Sequence, residues 1–265
     1  MNWSLITASN DAAVLKTCLA SSPCVGHAHD FQVMRGYASA GAAYNAGMRK
    51  AGAEVIVFAH QDVYLPCGWE EGLSKAVERL SDNDPDWGVL GVFGIARGLE
   101  PRGHIYCTGL QKVLGAPFDE PIECHSLDEV LLVIRRSSGL SFDAQLPGFH
   151  LYGTDICLEA QRRGLRSYIV SAFCLHNTEG MKFLPWAFWR GYFYLRHKWR
   201  DKLPIKTPCA SITASAWPVA SSILRNAYAH YIKRERAGRR LPNPAALCGP
   251  GLSEQAASVA EPGRA

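Results

Sequence analysis

Several patterns that would assign this chain to a protein class are missing from its sequence. The start, from Met1 to Ile6, lacks a basic segment followed by a long apolar core, so we expect no signal peptide. Nowhere do about 18 apolar residues follow one another, so we expect no membrane-spanning helix. These absences predict a cytoplasmic protein.

The nine cysteines lack an arrangement typical of metal sites or disulfide frameworks. None is spaced Cys-x-x-Cys, their number is odd, and several, such as Cys157 and Cys174, lie inside apolar runs. Buried free thiols in a reducing compartment fit this pattern best. A structural zinc site is disfavoured because its ligand spacing is absent.

Four motifs of well-known enzyme classes are absent as well. The chain has no Gly-x-x-x-x-Gly-Lys-Ser/Thr loop, no Gly-x-Ser-x-Gly elbow, no His-Glu-x-x-His pair and no Gly-x-Gly-x-x-Gly turn. This argues against P-loop nucleotidases, elbow-type serine hydrolases, zincin-type metalloproteases and dinucleotide-binding oxidoreductases.

The net charge of +4 conceals an uneven distribution along the chain. Residues 1–180 contain 14 Lys and Arg against 20 Asp and Glu, whereas residues 181–240 contain 13 against 2. A neutral-to-acidic body therefore carries a basic C-terminal segment. Such segments bind phosphates, anionic lipid or nucleic acid.

Strand-like and helix-like segments alternate over the first two thirds of the sequence. The patterns predict strands at 3–8, 31–34, 55–58, 87–93, 126–135 and 167–172, and helices at 12–20, 39–51, 69–80 and 152–163. This alternation predicts an α/β domain with a mostly parallel sheet flanked by helices. We expect this domain at residues 1–180, a basic, aromatic-rich helical extension at 181–240 and a disordered tail at 241–265.

The most informative stretch is residues 43–66. Val55 to Phe58 form a continuous apolar run, as in a strand covered on both faces, and His60, Gln61 and Asp62 follow at once. Ligands bind at the carboxyl ends of strands in open α/β sheets, and a carboxylate there can hold a divalent cation. The alternative is that Asp62 is simply a turn residue after a strand.

Two groups of short motifs follow one another in a fixed order. The first comprises Ala43-Tyr-Asn-Ala-Gly47, Glu54-Val-Ile-Val-Phe58, His60-Gln-Asp-Val63, Leu65-Pro66 and Gly68-Trp69. The second comprises Leu127–Arg135, Phe142-Asp143, Gly148–Tyr152, Asp155–Leu158 and His176. Together they resemble the donor and acceptor halves of a family 2-like glycosyltransferase. The resemblance covers about residues 3–180 and implies a GT-A fold, which is Rossmann-like.

The resemblance implies transfer of a sugar from a nucleoside-diphosphate donor to an acceptor hydroxyl, with inversion and with the aid of Mn²⁺ or Mg²⁺. Asp62 matches the last acid of the Asp-x-Asp motif of that family and is the expected metal ligand. His60 replaces the first acid, and it is a ligand, a donor to phosphate or a residue that orients Asp62. His176 matches a histidine that reaches the metal or the diphosphate. The alternative is a loop histidine bonded to the backbone.

Inversion requires a base near the acceptor hydroxyl. The resemblance places an acid at the start of the helix near Tyr152, but its usual position is Gly153 here. Asp155 is then the first candidate for the catalytic base, and His150 is the second. The alternative is that Asp155 only interacts with the N-terminus of its helix.

The base and ribose of the donor are expected over the first strand. The predicted donor-binding residues are Thr7, Ala8, Ser9, Asp11, Asn45, Gly47 and Gln61. Small residues at the end of the strand let the backbone approach the ribose, and Asp11 can accept a hydrogen bond from ribose or base. Asn45 is equally suited to bonding the backbone.

Eight aromatic residues lie between residues 183 and 199, interleaved with basic ones. One interpretation of the 183–200 segment is a helix at a bilayer surface, close to a lipid-linked acceptor, which would place the protein at the inner face of the membrane. The other is that the aromatic side chains pack onto the sheet. We predict a glycan or glycolipid acceptor, as in polysaccharide or glycolipid synthesis. Nucleic acid is disfavoured because no RNA-binding signature is present.

Two other functions are compatible with the sequence. A nucleotidyltransferase can use a similar fold, but Ser9–Leu19 lacks the glycine-rich and basic triphosphate loop of that class. A non-catalytic module that binds nucleotide sugars would explain both His60 and Gly153, which depart from the pattern of the resembling family.

Overall fold

The computed structural model describes residues 1–179, 184–215, 217–231 and 239–248. The strands are β1 (Trp3–Ala8), β2 (Asp30–Met34), β3 (Val55–Ala59), β4 (Val63–Tyr64), β5 (Trp87–Gly91), β6 (Phe93–Ala96), β7 (Pro101–Cys107), β8 (Lys112–Gly115), β9 (Ile122–Leu127), β10 (Leu131–Arg135), β11 (Arg166–Ile169), β12 (Cys174–His176), β13 (Ile205–Lys206) and β14 (Ser211–Ile212). The α-helices are α1 (Ala12–Thr17), α2 (Ala40–Met48), α3 (Trp69–Asn83), α4 (Tyr152–Arg162), α5 (Trp186–Lys198) and α6 (Trp217–Tyr231).

One large sheet contains all strands except β13 and β14. Its order is β2-β1-β3-β10-β5-β11-β9-β6-β7-β12-β4, with β8 beside β7. Four strand pairs are parallel, namely β1 with β2, β1 with β3, β5 with β11, and β7 with β12. The other seven are antiparallel. The predicted α/β architecture is therefore present, with a mixed sheet in which the parallel pairs are the minority.

The antiparallel strand in the middle of the sheet comes from residues 126–135, where the sequence predicts a single strand. They form the end of β9 and all of β10, with a turn in which the Asp128 carboxylate accepts from the N–H of Val130 (3.0 Å). β10 then runs antiparallel between β3 and β5. An apolar run indicates a buried strand but carries no information on its direction.

Both faces of β3 are buried, which explains its continuous apolar run. Ile56 and Phe58 contribute to one hydrophobic cluster together with side chains of α2, α4 and α5. Val55 and Val57 contribute to a second cluster together with side chains of α1 and α3. Because successive side chains of a strand point to opposite faces, a strand covered on both sides requires apolar residues at every position.

The C-terminal helical region packs onto the body of the protein. Trp189, Tyr192 and Trp199 are each at most 5% exposed and belong to the same cluster as Ile56. Residues 180–183 and 232–238 lie outside the described residues, so the division at residues 180 and 240 stays a prediction. Of the tail predicted to be disordered, residues 241–248 are described, and they contain a 3₁₀ turn at Pro244–Leu247.

None of the described helices combines the length and the apolar character needed to cross a membrane.

Candidate metal centre and its surroundings

Three side chains that can bind a metal meet where two strands end. β3 ends at Ala59, and His60 and Asp62 follow in the turn before β4. β12 ends at His176, which pairs with Val63 of β4. Ligating atoms of His60, Asp62 and His176 lie within 4.8 Å of one another. The turn and the strand pairing thus form a cluster of two imidazoles and one carboxylate, here called the His-Asp-His cluster.

Hydrogen bonds orient the His60 ring. Its Nε2 atom lies 2.9 Å from the hydroxyl of Tyr152, and that hydroxyl donates to the carbonyl oxygen of Glu129 (3.1 Å). If the single proton of that hydroxyl goes to Glu129, Nε2 of His60 donates to Tyr152. The Nδ1 atom of neutral His60 then has a free lone pair, which is the form in which imidazole binds metals.

Burial and mutual contacts set the charges in the His-Asp-His cluster. Burial lowers the pKa of His60 to about 4, against the opposing charge of Asp62, so the ring is neutral at pH 7. Burial acts to raise the pKa of Asp62, but His176, His60 and Arg240 outweigh it and lower that pKa to about 2. Burial also disfavours protonated His176, but contacts with Asp62 and Cys107 raise its pKa to about 10.

The His-Asp-His cluster fits a divalent cation. Nε2 of His176 is already 3.4 Å from Oδ1 of Asp62, and ligating atoms of all three side chains lie within 4.8 Å of one another. Imidazole together with carboxylate suits Mn²⁺ and the later transition metals better than Mg²⁺, which prefers oxygen ligands. A metal would take the place of the proton on His176, because only neutral imidazole coordinates.

A further cation reaches the cluster from the C-terminal part of the chain. Nη2 of Arg240 is 3.7 Å from Oδ2 of Asp62, and its Nη1 is 3.9 Å from Oε1 of Glu179. The side chain of Asn177 donates to the carbonyl oxygen of Leu241 (2.9 Å) and accepts from its N–H (2.8 Å). Neither Arg240 nor Asn177 was identified from the sequence. Their only signals were the basic charge of the extension and the position of Asn177 after His176.

Gln61 organises the loop that follows β1. Its Oε1 atom accepts from the hydroxyl of Ser9 (2.8 Å) and from the N–H groups of Asn10 and Asp11 (both 3.1 Å). The carboxylate of Asp11 caps α1 by accepting from two N–H groups of its first turn. Gln61, Ser9 and Asp11, all predicted to bind the donor, therefore lie together at the carboxyl ends of β1 and β3.

Thr7 and Ala8 form the end of β1 beneath that loop. The hydroxyl of Thr7 is fully buried and donates to the carbonyl oxygen of Ala59 (2.8 Å), which joins β1 to β3. Ala8 is half-buried. The hydroxyl of Thr7 is thus used within the sheet, and Ala8 is the half-buried last residue of the strand.

Asn45 and Gly47, also predicted to bind the donor, serve packing within the fold. The Asn45 amide donates to the carbonyl oxygen of Phe142 (2.7 Å) and accepts from its N–H (3.0 Å). A Cβ atom on Gly47 would lie 2.6 Å from Cγ2 of Ile6, so glycine permits the close approach of α2 to β1. For Asn45 the backbone alternative describes the contacts observed.

Asp155, the first candidate for the base, lies in a closed buried cluster. Its two carboxylate oxygens accept from Nζ of Lys198 (2.8 and 2.9 Å), and Oδ1 also accepts from Nε1 of Trp199 (2.7 Å). Lys198 donates in addition to Asp143 (2.7 Å). Burial raises the pKa of Asp155 despite Lys198. These contacts tie α4 to α5 and leave neither oxygen without a partner.

His150, the second candidate for the base, precedes α4. Burial lowers its pKa against the opposing charge of Asp128, so the imidazole is neutral at pH 7 and can accept a proton. The same Asp128 charge acts on His60 and His176. His150 and the His-Asp-His cluster therefore share one acidic neighbour.

Gly153 has no room for a side chain. A Cβ atom there would lie 2.5 Å from the carbonyl oxygen of Leu127 and 3.2 Å from the backbone of Asp128. The acid expected at this position in the resembling family is therefore excluded by the approach of the β9–β10 turn to α4.

The aromatic residues of 183–199 divide between the core and the surface. Phe188, Trp189, Tyr192 and Trp199 are buried, in agreement with the packing interpretation. Trp186 is 67% exposed and Phe193 is 42% exposed, whereas Phe183 lies outside the described residues. Tyr194 is half-buried and packs against the same core. The packing interpretation thus describes five of the seven described aromatic side chains, and two remain at the surface.

A cavity of about 860 Å³ lies beside α3. Its walls include Trp69, Lys75, His104 and Phe173, and none of the residues predicted to bind metal or donor lines it. This cavity is therefore separate from the chemistry of the His-Asp-His cluster.

Residues 4–187 match the model of a family described as "Glycosyltransferase like family". The chain is also 34% identical over 126 residues to "ATP synthase subunits region ORF 6" of Fuscovulum blasticum, which is 46% of this chain. It spans half the length of that curated relative.

Solved structures resemble the fold. TarS of S. aureus has a TM-score of 0.50 at 13% identity over 88% of this chain and 45% of that one. The mannosyltransferase PcManGT of Pyrobaculum calidifontis, in complex with GDP-Man and Mn²⁺, has a TM-score of 0.49 at 14% identity over 98% and 76%. The likeness to TarS agrees with the predicted GT-A fold.

Proposed function

This chain belongs to the glycosyltransferase-like family matched by residues 4–187, and from this premise we propose that it moves a sugar from a nucleoside-diphosphate donor to an acceptor hydroxyl. The observation that supports the proposal most directly is the His-Asp-His cluster at the ends of β3 and β12. In open α/β sheets, that edge is where ligands bind.

We propose that His60, Asp62 and His176 hold a divalent cation, with Mn²⁺ favoured over Mg²⁺ because two ligands are imidazoles. When bound, such a cation neutralises the charge that develops on the departing diphosphate. The chain prepares for it by holding Asp62 ionised and by orienting the His60 ring through the contact of its Nε2 atom with the Tyr152 hydroxyl.

The donor base and ribose are proposed to lie over the end of β1. Gln61 fixes the backbone of residues 9–11 there, so Ala8, Ser9 and Asp11 present a shaped surface beside the cation site. Asn45, Gly47 and Thr7 support this surface from within the fold rather than through free polar groups.

His150 is our proposal for the base that deprotonates the acceptor in an inverting reaction. It is neutral at pH 7, whereas the oxygens of Asp155 are engaged by Lys198 and Trp199. His150→Ala should lower the rate of transfer by about 10²-fold or more and leave nucleotide affinity unchanged. If Asp155→Asn, and not His150→Ala, selectively removes turnover from a stably folded protein, Asp155 is the base.

The acceptor is proposed to be a glycan or glycolipid hydroxyl, with peripheral membrane contact through α5. Trp186 and Phe193 are exposed on this helix, and its last turn carries Arg196 and His197, whereas Lys198 is paired with Asp143 and Asp155. Co-sedimentation with vesicles should then increase with the fraction of anionic lipid and should decrease for Trp186→Ser. Equal recovery with neutral and anionic vesicles would contradict membrane contact.

The proposed function is tested by incubating the protein with UDP-, GDP- and dTDP-sugars, with Mn²⁺ or with EDTA. Release of the nucleoside diphosphate from one donor, dependent on Mn²⁺, is the expected result. Release of pyrophosphate from a nucleoside triphosphate and a sugar phosphate would instead identify a nucleotidyltransferase. Tight donor binding without turnover on any acceptor extract would identify a binding module.

A further inference from the structure

Arg240 lies at the His-Asp-His cluster although it comes from outside residues 4–187, the part of the chain that carries the family match. We propose that Arg240 is a diphosphate-binding residue, which neutralises Asp62 while the cation is absent and binds phosphate oxygens of the donor once the cation is present. This inference rests on the proposed function, since it assumes a cation and a nucleoside diphosphate at that cluster.

The position of Arg240 is fixed by its neighbour. Leu241 forms two backbone hydrogen bonds with the amide of Asn177, which is 1% exposed. The N–H of Asn177 donates to the carbonyl oxygen of Asp62 (2.8 Å). A continuous set of hydrogen bonds therefore connects the metal-binding turn to the segment that carries Arg240.

The guanidinium of Arg240 is not saturated by the protein. Its contacts with Asp62 and Glu179, at 3.7 and 3.9 Å, exceed the length of a good charge-assisted hydrogen bond. Its Nε atom is buried and has no hydrogen-bond partner in the described part of the protein. A buried unsatisfied donor on a cation is costly, and a phosphate group would provide the acceptors that the fork of a guanidinium fits.

Arg240 and a divalent cation compete for the carboxylate of Asp62. A cation bound by Asp62 and the two histidines would lie close to the guanidinium, so the two positive charges disfavour each other. A diphosphate beside the cation reverses this effect, because its oxygens can contact both charges. Loss of Arg240 should therefore strengthen binding of the cation alone and weaken binding of the diphosphate.

A structural ion pair would behave differently. If Arg240 only fastened the C-terminal segment to the body, its removal would lower thermal stability and would affect cation and diphosphate in the same direction. Opposite changes in the affinities for the cation and for the diphosphate therefore distinguish a ligand-binding arginine from one that only stabilises the C-terminal segment.

The test compares Arg240→Gln with Arg239→Gln, which removes an equal charge from the exposed neighbouring position. Calorimetry would measure binding of Mn²⁺ alone and then of pyrophosphate, UDP and GDP at saturating Mn²⁺. For Arg240→Gln we expect Mn²⁺ to bind about twofold to tenfold more tightly. We expect the diphosphates to bind about tenfold to a hundredfold more weakly, which is the range for the loss of one charged hydrogen bond. Arg239→Gln should resemble the wild type.

Arg240→Lys provides a second variant if Arg240→Gln folds poorly. It keeps the charge but loses the fork, so the affinity for Mn²⁺ alone should stay at the wild-type value while the affinity for the diphosphates falls. Equal diphosphate affinity in wild type, Arg240→Gln and Arg239→Gln would overturn the inference and leave the proposed function intact. A wild type that binds neither Mn²⁺ nor any diphosphate would overturn both.

Discussion

Asp62 and Asp155 are both buried carboxylates, yet their surroundings differ. Asp62 has two cationic neighbours at 3.4 and 3.7 Å, and its pKa is lowered to about 2. Asp155 accepts three hydrogen bonds of 2.7–2.9 Å from Lys198 and Trp199, and burial raises its pKa. The contacts of Asp62 are longer than good hydrogen bonds, whereas both oxygens of Asp155 are fully hydrogen-bonded.

This difference in pairing separates a buried carboxylate that can bind a ligand from one that stabilises the fold. The partners of Asp62 can be exchanged, because His176 can replace its proton by a metal and Arg240 can pair with a phosphate. The partners of Asp155 belong to α5, whose aromatic side chains are packed in the core. Exchange there would require the helix to move. From the sequence, Asp62 is the expected metal ligand and Asp155 the first candidate for the base, so both are predicted to be site acids.

The largest effect expected from this comparison is the loss of turnover in Asp62→Asn. The variant should release nucleoside diphosphate at least about a thousandfold more slowly, since it removes the only carboxylate of the cluster. Its free energy of unfolding without metal should change by much less than that of Asp155→Asn. Wild-type turnover in Asp62→Asn would show that Asp62 is not the acid that serves the reaction.

Asp155→Asn should have the complementary effect. It leaves the ammonium of Lys198 with Asp143 as its remaining buried partner, and we expect a loss of about 3 kcal/mol in the free energy of unfolding. Urea denaturation would measure this loss. Calorimetric binding of Mn²⁺ should stay within about twofold of the wild type. If Asp155→Asn is stable but binds Mn²⁺ poorly, Asp155 has no purely structural role, and the contrast with Asp62 is lost.

Stabilisation by metal is the third expectation. At a concentration about 100 times its dissociation constant, Mn²⁺ should stabilise the wild type by about 2.7 kcal/mol, and Mg²⁺ at the same concentration by less. Thermal unfolding would measure both effects. Asp155→Asn should keep its response to Mn²⁺, and Asp62→Asn should lose it. A stronger effect of Mg²⁺ would argue that the two imidazoles are not ligands.

The smallest expected effect is a pH dependence of the metal-free protein. The pKa of His176 is raised from its ordinary value of 6.5 to about 10 by Asp62 and Cys107, despite burial. Its contribution to stability is therefore fully present below pH 6.5 and is lost as the pH rises through 10. In EDTA, the Tm of the wild type should fall more between pH 6 and pH 10 than the Tm of His176→Gln. Parallel curves would contradict a protonated His176.

The family and the α/β fold predicted from the sequence are confirmed by the family match and by the structure, and the enzymatic activity belongs to the proposed function. The predicted metal ligands His60, Asp62 and His176 come together in the structure, although whether they bind a metal stays a proposal. Patterns of this kind are local, because an apolar strand followed by an acid places that acid at the edge of a sheet.

Other assignments depended on contacts between distant residues. Nothing near Asn45 in the sequence indicates that its amide bonds Phe142, and nothing near Asp155 indicates that Lys198 neutralises it. Arg240 is far from Asp62 along the chain and reaches it only through Asn177 and Leu241. A residue type shows which bonds a side chain can form, but only packing shows which of them are already made.

The sequence by itself determined that an acid follows a doubly covered strand and that His60 precedes it by two residues, since these features depend on residues adjacent in the chain. The tertiary structure decided which acid has free bonding capacity, that residue 153 must be glycine, and that a C-terminal arginine faces the cluster. The physical reason is that hydrogen-bond saturation and burial are properties of a three-dimensional neighbourhood, and members of such a neighbourhood come from strands and helices that the chain order keeps apart.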